Sequence, residues 1–490
     1  MVFTSPFFLF LFLPIVTGIH YVMKDKYRNF FLFVASSFFY YYGEQNLLFL
    51  MYGVIIINWL TGLGFEYIDK RSEAGRKQKL RKILLLVCIC VCVGILWHYK
   101  YWGFTITSFN RVAAVVGFDY KLSTVDKILL PLGISFYTFH CLSYTFDVYR
   151  KKMMAEHNLL NFMCYVLMFP QLVAGPIVRY IDIKAQFEHR VITLIGMVNG
   201  IRRFCYGLAK KVLIANTVAI AVDQIFKLPI GQLDFFTAWA GAICYTLQIY
   251  FDFSGYSDMA IGLAMLFGFR YKENFNYPYV SKSVSEFWRR WHISLSTWLR
   301  DYVYISMGGS RVTKAKYCFN LLFVMLLSGL WHGASFTFIF WGLWYGVFLV
   351  LESIVSNGFT PSRKSYLNKI YLAGAHIYTL VVIIFGWVLF RASGVRYAFH
   401  YWQAMLNPFN NSFCLMLEYI TPNIILAIAI GIFFSIDWRR VYKRIVMCSR
   451  RRTEIFLYKI VSVSAAFLLF ALSIMSIFSN TYNPFIYFRF

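Results

Sequence analysis

The stretch Leu327-Ser328-Gly329-Leu330-Trp331-His332-Gly333-Ala334-Ser335 sets one histidine between two apolar runs, residues 318–330 and 336–351. The first run has 13 residues, whereas a helix needs about 20 to cross a bilayer. The stretch therefore reads as a half-span that leaves His332 deep in the membrane rather than in an aqueous loop. An ionisable side chain at that depth is costly and marks function. The fold class follows: an all-α polytopic membrane protein arranged as a container for this imidazole.

Composition agrees. Only 14% of the 490 residues are charged and 59% are hydrophobic, against about 25% charged in a soluble chain. The apolar runs are long and continuous, not alternating, which excludes a transmembrane β-barrel. One polytopic domain over residues 1–490 leaves no room for a second, soluble one. Forty-eight Lys and Arg against 22 Asp and Glu give a net charge of +26. In a soluble protein that excess would suggest nucleic acid. Here it sits in short loops, as cytoplasmic loops require, so membrane lipid is the expected contact and no nucleic acid is expected. The ten cysteines show no CxxC and no metal-like spacing with histidine, and Cys88, Cys90 and Cys92 lie inside an apolar run as packing residues. Neither a disulfide nor a metal is expected.

Met1-Val2-Phe3-Thr4-Ser5 has no basic region and no small-residue cleavage site follows, so the first apolar span, residues 6–23, reads as retained. Apolar runs follow at 30–42 and 47–68. Lys24, Lys26 and Arg28 precede this pair. A basic loop at 70–82 follows it, with Lys70, Arg71, Arg76, Lys77, Lys79, Arg81 and Lys82. Both basic segments are placed in the cytoplasm and the N-terminus outside. Spans are expected at 83–97 and 128–146. Residues 161–173, with Pro170 and Ala174-Gly175-Pro176, read as a re-entrant or tilted half-helix shielded by protein. Residues 198–226 carry Arg202, Arg203, Lys210 and Lys211 and read as amphipathic and partly interfacial. Two apolar runs within 233–269 enclose Asp252 and Asp258, with a helix break expected at Ser254-Gly255-Tyr256-Ser257. Later runs lie at 370–389, 424–436 and 455–478, the last two separated by a basic loop at 439–452. The total is about eleven spans plus re-entrant pieces.

Chemistry centres on His332, whose imidazole titrates near neutrality and can take a proton from a hydroxyl as it attacks an acyl carbon. A buried histidine that only bonds a neighbouring helix is the plainer reading, and the short half-span tips the balance toward function. His292 sits in a segment where Trp288, Trp291, Leu295, Trp298, Leu299 and Tyr302 recur at helical spacing. Alone, that segment reads as an interfacial helix with an aromatic belt. With His332 it offers a second imidazole, to orient the acyl donor or to stabilise an oxyanion. Asp252 and Asp258 read as a structural polar network, Asp258 also as an orienting group. There is no GxSxG elbow, no Walker loop and no GxGxxG.

Taken in order, several motifs make a specific set. They are Val173-Ala174-Gly175-Pro176-Ile177-Val178-Arg179, Tyr250-Phe251-Asp252-Phe253-Ser254-Gly255-Tyr256-Ser257-Asp258 and Asn274-Phe275-Asn276-Tyr277-Pro278-Tyr279. The segment 288–302, Trp331-His332-Gly333, and both chain ends complete it. The chain resembles the membrane-bound O-acyltransferase (MBOAT) family, in its bacterial polysaccharide, or alginate, O-acetyltransferase branch. The resemblance implies a ring of helices around a central funnel open to the cytoplasm, with a catalytic core at about 130–356. It implies His332 and His292 as catalytic residues; Trp331, Trp291, Arg289 and Asp258 are the residues expected to bind substrate. It further implies a multi-pass protein of the cell (inner) membrane with no permanently bound cofactor. Acetyl-coenzyme A is the implied cytosolic donor, and the implied acceptor is a hydroxyl on an extracytoplasmic glycan or a periplasmic acetyl-transferring partner. Two rivals stand beside this: D-alanyl transfer to teichoic acid from a carrier-protein thioester, and a polysaccharide transporter or export component.

Overall fold

A computed structural model describes residues 1–118, 122–123, 129–355, 366–410, 413–438 and 452–479. Every regular element among the described residues is helical. Six helices are long and apolar enough to cross a membrane: Leu47–Arg71, Gly75–Val116, Leu194–Ile225, Phe336–Val355, Lys369–Arg391 and Ile460–Ser479. Two shorter apolar helices, Phe8–Val22 and Pro422–Ser435, add to them. The chain is thus an all-α polytopic membrane protein. Its contacts divide it into two compact units, Met1–Met197 with Leu263–Lys272, and Val198–Gly262 with Glu273–Phe490.

In the first unit, α1 (Phe8–Val22), α2 (Asp25–Glu44), α3 (Leu47–Arg71) and α4 (Gly75–Val116) follow one another through short turns. Two expectations change here. The basic stretch 70–82 is not a loop: only Ser72 and Glu73 turn, and its cations ride on the ends of α3 and α4. α4 also runs on past Trp97, where the expected span ends, as far as Val116. Arg81 of α4 shows why basic residues suit a helix end. It donates to the backbone carbonyls of Val148 and Tyr149, at 3.1 and 2.6 Å, and pairs with Asp69 at 2.5 Å. These carbonyls close α5 (Ile134–Tyr149), where the last backbone groups of a helix lack partners.

The short apolar stretch after α5 forms two pieces, α6 (Leu159–Leu167) and a single turn, Phe169–Leu172. Its inner residues are wholly buried. The backbone freed at the break is satisfied from within, because Gln171 Nε2 donates to the Tyr165 carbonyl and Tyr165 Oη donates to that of Val178. Irregular backbone among apolar helices is tolerated only with such shielding.

In the second unit, α7 (Leu194–Ile225) and α8 (Phe235–Leu266) cross at very short range. A Cβ on Gly207 would lie 2.5 Å from the Gly255 carbonyl oxygen, and one on Gly255 2.7 Å from that of Gly207. This overturns two readings. α8 is unbroken over 32 residues, because Gly255 serves the close approach rather than a break. Nor is residues 198–226 an interfacial helix, since its basic side chains turn inward. Lys211 pairs with Asp252 at 2.6 Å, Lys210 with Asp258 at 2.6 Å, and Arg203 with Asp258 at 2.8 Å and with Glu273. Cations and carboxylates among apolar helices persist by pairing in this way.

Beyond α8 come α9 (Val284–Arg290), α10 (Ile293–Leu299), α11 (Lys314–His332), α12 (Phe336–Val355) and α13 (Tyr366–Arg391). The run read as 13 residues is the core of a 19-residue helix that begins at Lys314, since Lys314, Ala315 and Lys316 at its start are good helix formers. The basic loop at 439–451 lies outside the described residues.

Candidate active site

The segment around His292 is not one amphipathic helix. α9 stops at Arg290, Trp291 is extended, and His292 adopts φ 41°, ψ 54° before α10 begins. That left-handed backbone is uncommon for a residue with a Cβ and costs on the order of 1–3 kcal/mol. Two backbone bonds hold it: Asn276 N donates to the Arg290 carbonyl and Ile293 N to that of Asn274, both at 2.9 Å. The kink drives the His292 side chain inward, and no part of it is exposed. An interfacial aromatic belt would have left it at the surface. Phe253 of α8 meets the imidazole edge-on, with ring centroids 4.6 Å apart.

His332 is the last residue of α11, followed by Gly333 in extended backbone. The hairpin it ends is tightly interlocked. A Cβ on Gly329 would collide with the Phe338 carbonyl, and one on Gly342 with that of Met325. Only glycine lets the two backbones pass so closely. The His332 ring then sits among Trp331, Trp341 and Phe390, at centroid distances of 5.0, 5.1 and 5.0 Å.

Trp331 joins the two histidines. Its ring lies 5.0 Å from that of His332 and 5.9 Å from that of His292, crossing both steeply. Behind them, Trp291 packs against Trp387 at 4.8 Å and Phe287 at 5.4 Å, and Trp387 stacks on Trp341 at 6.2 Å. The result is two buried imidazoles in an aromatic wall that keeps bulk water away. Burial pushes the His292 imidazole down to about 3, so this ring is neutral in ordinary buffers.

Of the residues singled out in the sequence, His292, His332, Trp331 and Trp291 come together. Arg289 does not: it is exposed on α9, while its neighbours Phe287 and Trp288 face inward. Asp258 is tied to Arg203 and Lys210 rather than to either histidine. Among the described residues no three of His, Cys, Asp and Glu gather as metal ligands.

A model of the MBOAT, membrane-bound O-acyltransferase family, matches residues 78–395. The chain belongs to this family. It is 40% identical to the probable alginate O-acetylase of Pseudomonas putida over the whole of both chains. With the probable alginate O-acetylase of Pseudomonas aeruginosa it shares 42% identity over 83% of this chain and 75% of that one. Its identity to the peptidoglycan O-acetyltransferase of Helicobacter pylori is 29%, over 100% of this chain and 98% of the other. The protein is therefore an O-acyltransferase and a multi-pass membrane protein.

In this acyltransferase His292 is held by groups that were not among the candidate site residues. Asn274 faces its ring, with the side-chain oxygen 3.2 Å from Nδ1. Ser294 donates to that same oxygen, and Asn274 Nδ2 donates to Ser257 of α8. Phe253 and Ser257 are four apart and so share one helix face, which turns toward His292 while Asp252, Gly255 and Asp258 turn toward α7. Ser257 and Asn274 both stand in motifs that carry the family resemblance, residues 250–258 and 274–279, but spacing alone assigns neither a role.

Proposed function

We propose that this chain transfers an acetyl group from acetyl-coenzyme A, taken on the cytoplasmic side, to a hydroxyl of an extracytoplasmic polysaccharide such as an alginate-like glycan or peptidoglycan. The observation that carries the reading is Trp331 flanked by both histidines inside an aromatic wall. The named activities of the full-length relatives supply the acetyl group and the polymer acceptor.

The chemistry follows from the residues. His332 takes the proton of the acceptor hydroxyl as its oxygen attacks the thioester carbonyl. The C–S bond of the resulting tetrahedral species breaks, an ester C–O bond remains, and the thiolate leaves with the proton from His332 as free thiol. His292, which also meets the Trp331 ring, positions the reacting group. Trp331 and Trp291 wall off water, which would otherwise hydrolyse the thioester. Arg289 is the cation offered to the phosphates of the coenzyme, and Asp258 acts by holding Arg203 and Lys210 for the same negative charge. An acetyl-transferring partner outside the membrane receives the group where the glycan itself does not reach the centre.

The test is label transfer. Membranes containing the chain, given acetyl-coenzyme A labelled in the acetyl group, are expected to move label into envelope polymer. His332→Ala should lower the rate on the order of 10²–10⁴-fold, the usual worth of a general base. Label arriving only from an alanyl carrier protein, or undiminished transfer in the variant, would reject the reading.

A further inference from the structure

Asn274 is almost completely buried, and both polar atoms of its side chain are engaged. Its orientation is settled by one neighbour that has no choice of role. The backbone N–H of Ser294 can only donate, and it lies 3.2 Å from Oδ1, so that atom is the carbonyl oxygen. Nδ2 then donates to Ser257 Oγ at 3.0 Å. Ser294 Oγ donates its proton to Oδ1 at 2.8 Å, which turns its lone pairs toward the rest of the site.

His292 Nδ1 therefore faces two acceptors, Asn274 Oδ1 at 3.2 Å and Ser294 Oγ at 3.4 Å. A ring nitrogen between two acceptors must carry the proton. In a neutral imidazole the other nitrogen then bears a lone pair. Nε2 is buried and bonds to no described residue.

We infer that Asn274 is a positioning residue that locks His292 in the Nδ1–H tautomer, so that Nε2 receives a hydrogen bond from a substrate N–H or O–H. This rests on the place of His292 in the active centre proposed above and decides between the two tasks open to it. Stabilising an oxyanion requires a donor, and Nε2 of this tautomer has none. The left-handed turn at His292 and the backbone bond from Ile293 to Asn274 keep ring and amide in register.

The experiment uses the full chain in membranes, labelled acetyl-coenzyme A, and three variants. Asn274→Leu removes the acceptor and should lower kcat about 10–100-fold, the usual cost of losing a group that orients a histidine, with KM for acetyl-coenzyme A unchanged. Asn274→Asp keeps an acceptor and adds charge, so it should retain most activity. It should also move the acidic limb of the pH–rate profile upward by about one unit or more, since a carboxylate beside Nδ1–H favours the protonated ring. In a His292→Ala background, Asn274→Leu should add less than about a twofold further loss, because coupled residues are not additive. An impaired His292→Ala beside an unimpaired Asn274→Leu, or an unmoved Asn274→Asp profile, overturns the tautomer lock alone. Full activity in His292→Ala overturns the reading beneath it. Should Asn274→Leu fail to fold, the Asn274→Asp profile decides.

Discussion

Lys211 Nζ lies 2.6 Å from Asp252 Oδ1, and both side chains are sealed from solvent. The pair joins α7 to α8 beside the glycine crossing. Removing one partner of a buried ion pair costs about 3–5 kcal/mol. Lys211→Met should therefore lower the thermal midpoint of the purified protein sharply. Asp252→Leu added to Lys211→Met should restore most of the loss, because replacing both charges removes the desolvation penalty with the attraction.

The crossing makes its own demand. Gly255→Leu forces a side chain against the backbone of Gly207, and overpacking of this kind costs about 1–3 kcal/mol. Gly53 of α3 has nothing within 4 Å of an added Cβ. Gly53→Leu should stay within about 0.5 kcal/mol of the native protein. Thermal unfolding of both variants in one detergent checks the contrast.

Glu352 of α12 accepts from the backbone N–H groups of Val284 and Ser285, at 2.6 and 2.9 Å, and so closes the first turn of α9. Glu352→Ala leaves two donors without partners and should cost about 1–2 kcal/mol. α9 leads directly into the His292 kink, so transfer activity should fall along with stability.

Trp331 touches both imidazoles, and its bulk fixes how they pack. Trp331→Ala should lower kcat about 100-fold, in line with the cost of ångström-scale misplacement of reacting groups. Trp331→Phe keeps a flat apolar ring there and should retain more of the rate. Side-by-side kcat values from label transfer are the check.

The fold class was legible because residues that must avoid water dominate the chain in long runs. The two histidines were legible for the same reason, since His332 stands out against apolar neighbours. What was hidden depends on tertiary approach. Gly255 reads as a breaker until Gly207 is known to face it, and Lys210 and Lys211 read as interfacial until Asp258 and Asp252 are found opposite. The kink at His292 was invisible because hydrophobic spacing continues through it from Trp288 to Tyr302, while the bonds that bend the chain come from residues 274–276. Asn274 itself is a lone amide, and nothing in its flanks tells a holder of imidazole from a turn residue.

The packing of His332 against two indoles has an optical consequence. Of thirteen tryptophans in the chain, Trp331 and Trp341 lie in ring contact with this imidazole, so their emission depends on what sits beside it. The protein thus carries an intrinsic emission probe at its own centre. An acyl donor that settles beside His332 should change the fluorescence without any attached dye, and His332→Ala should alter that response.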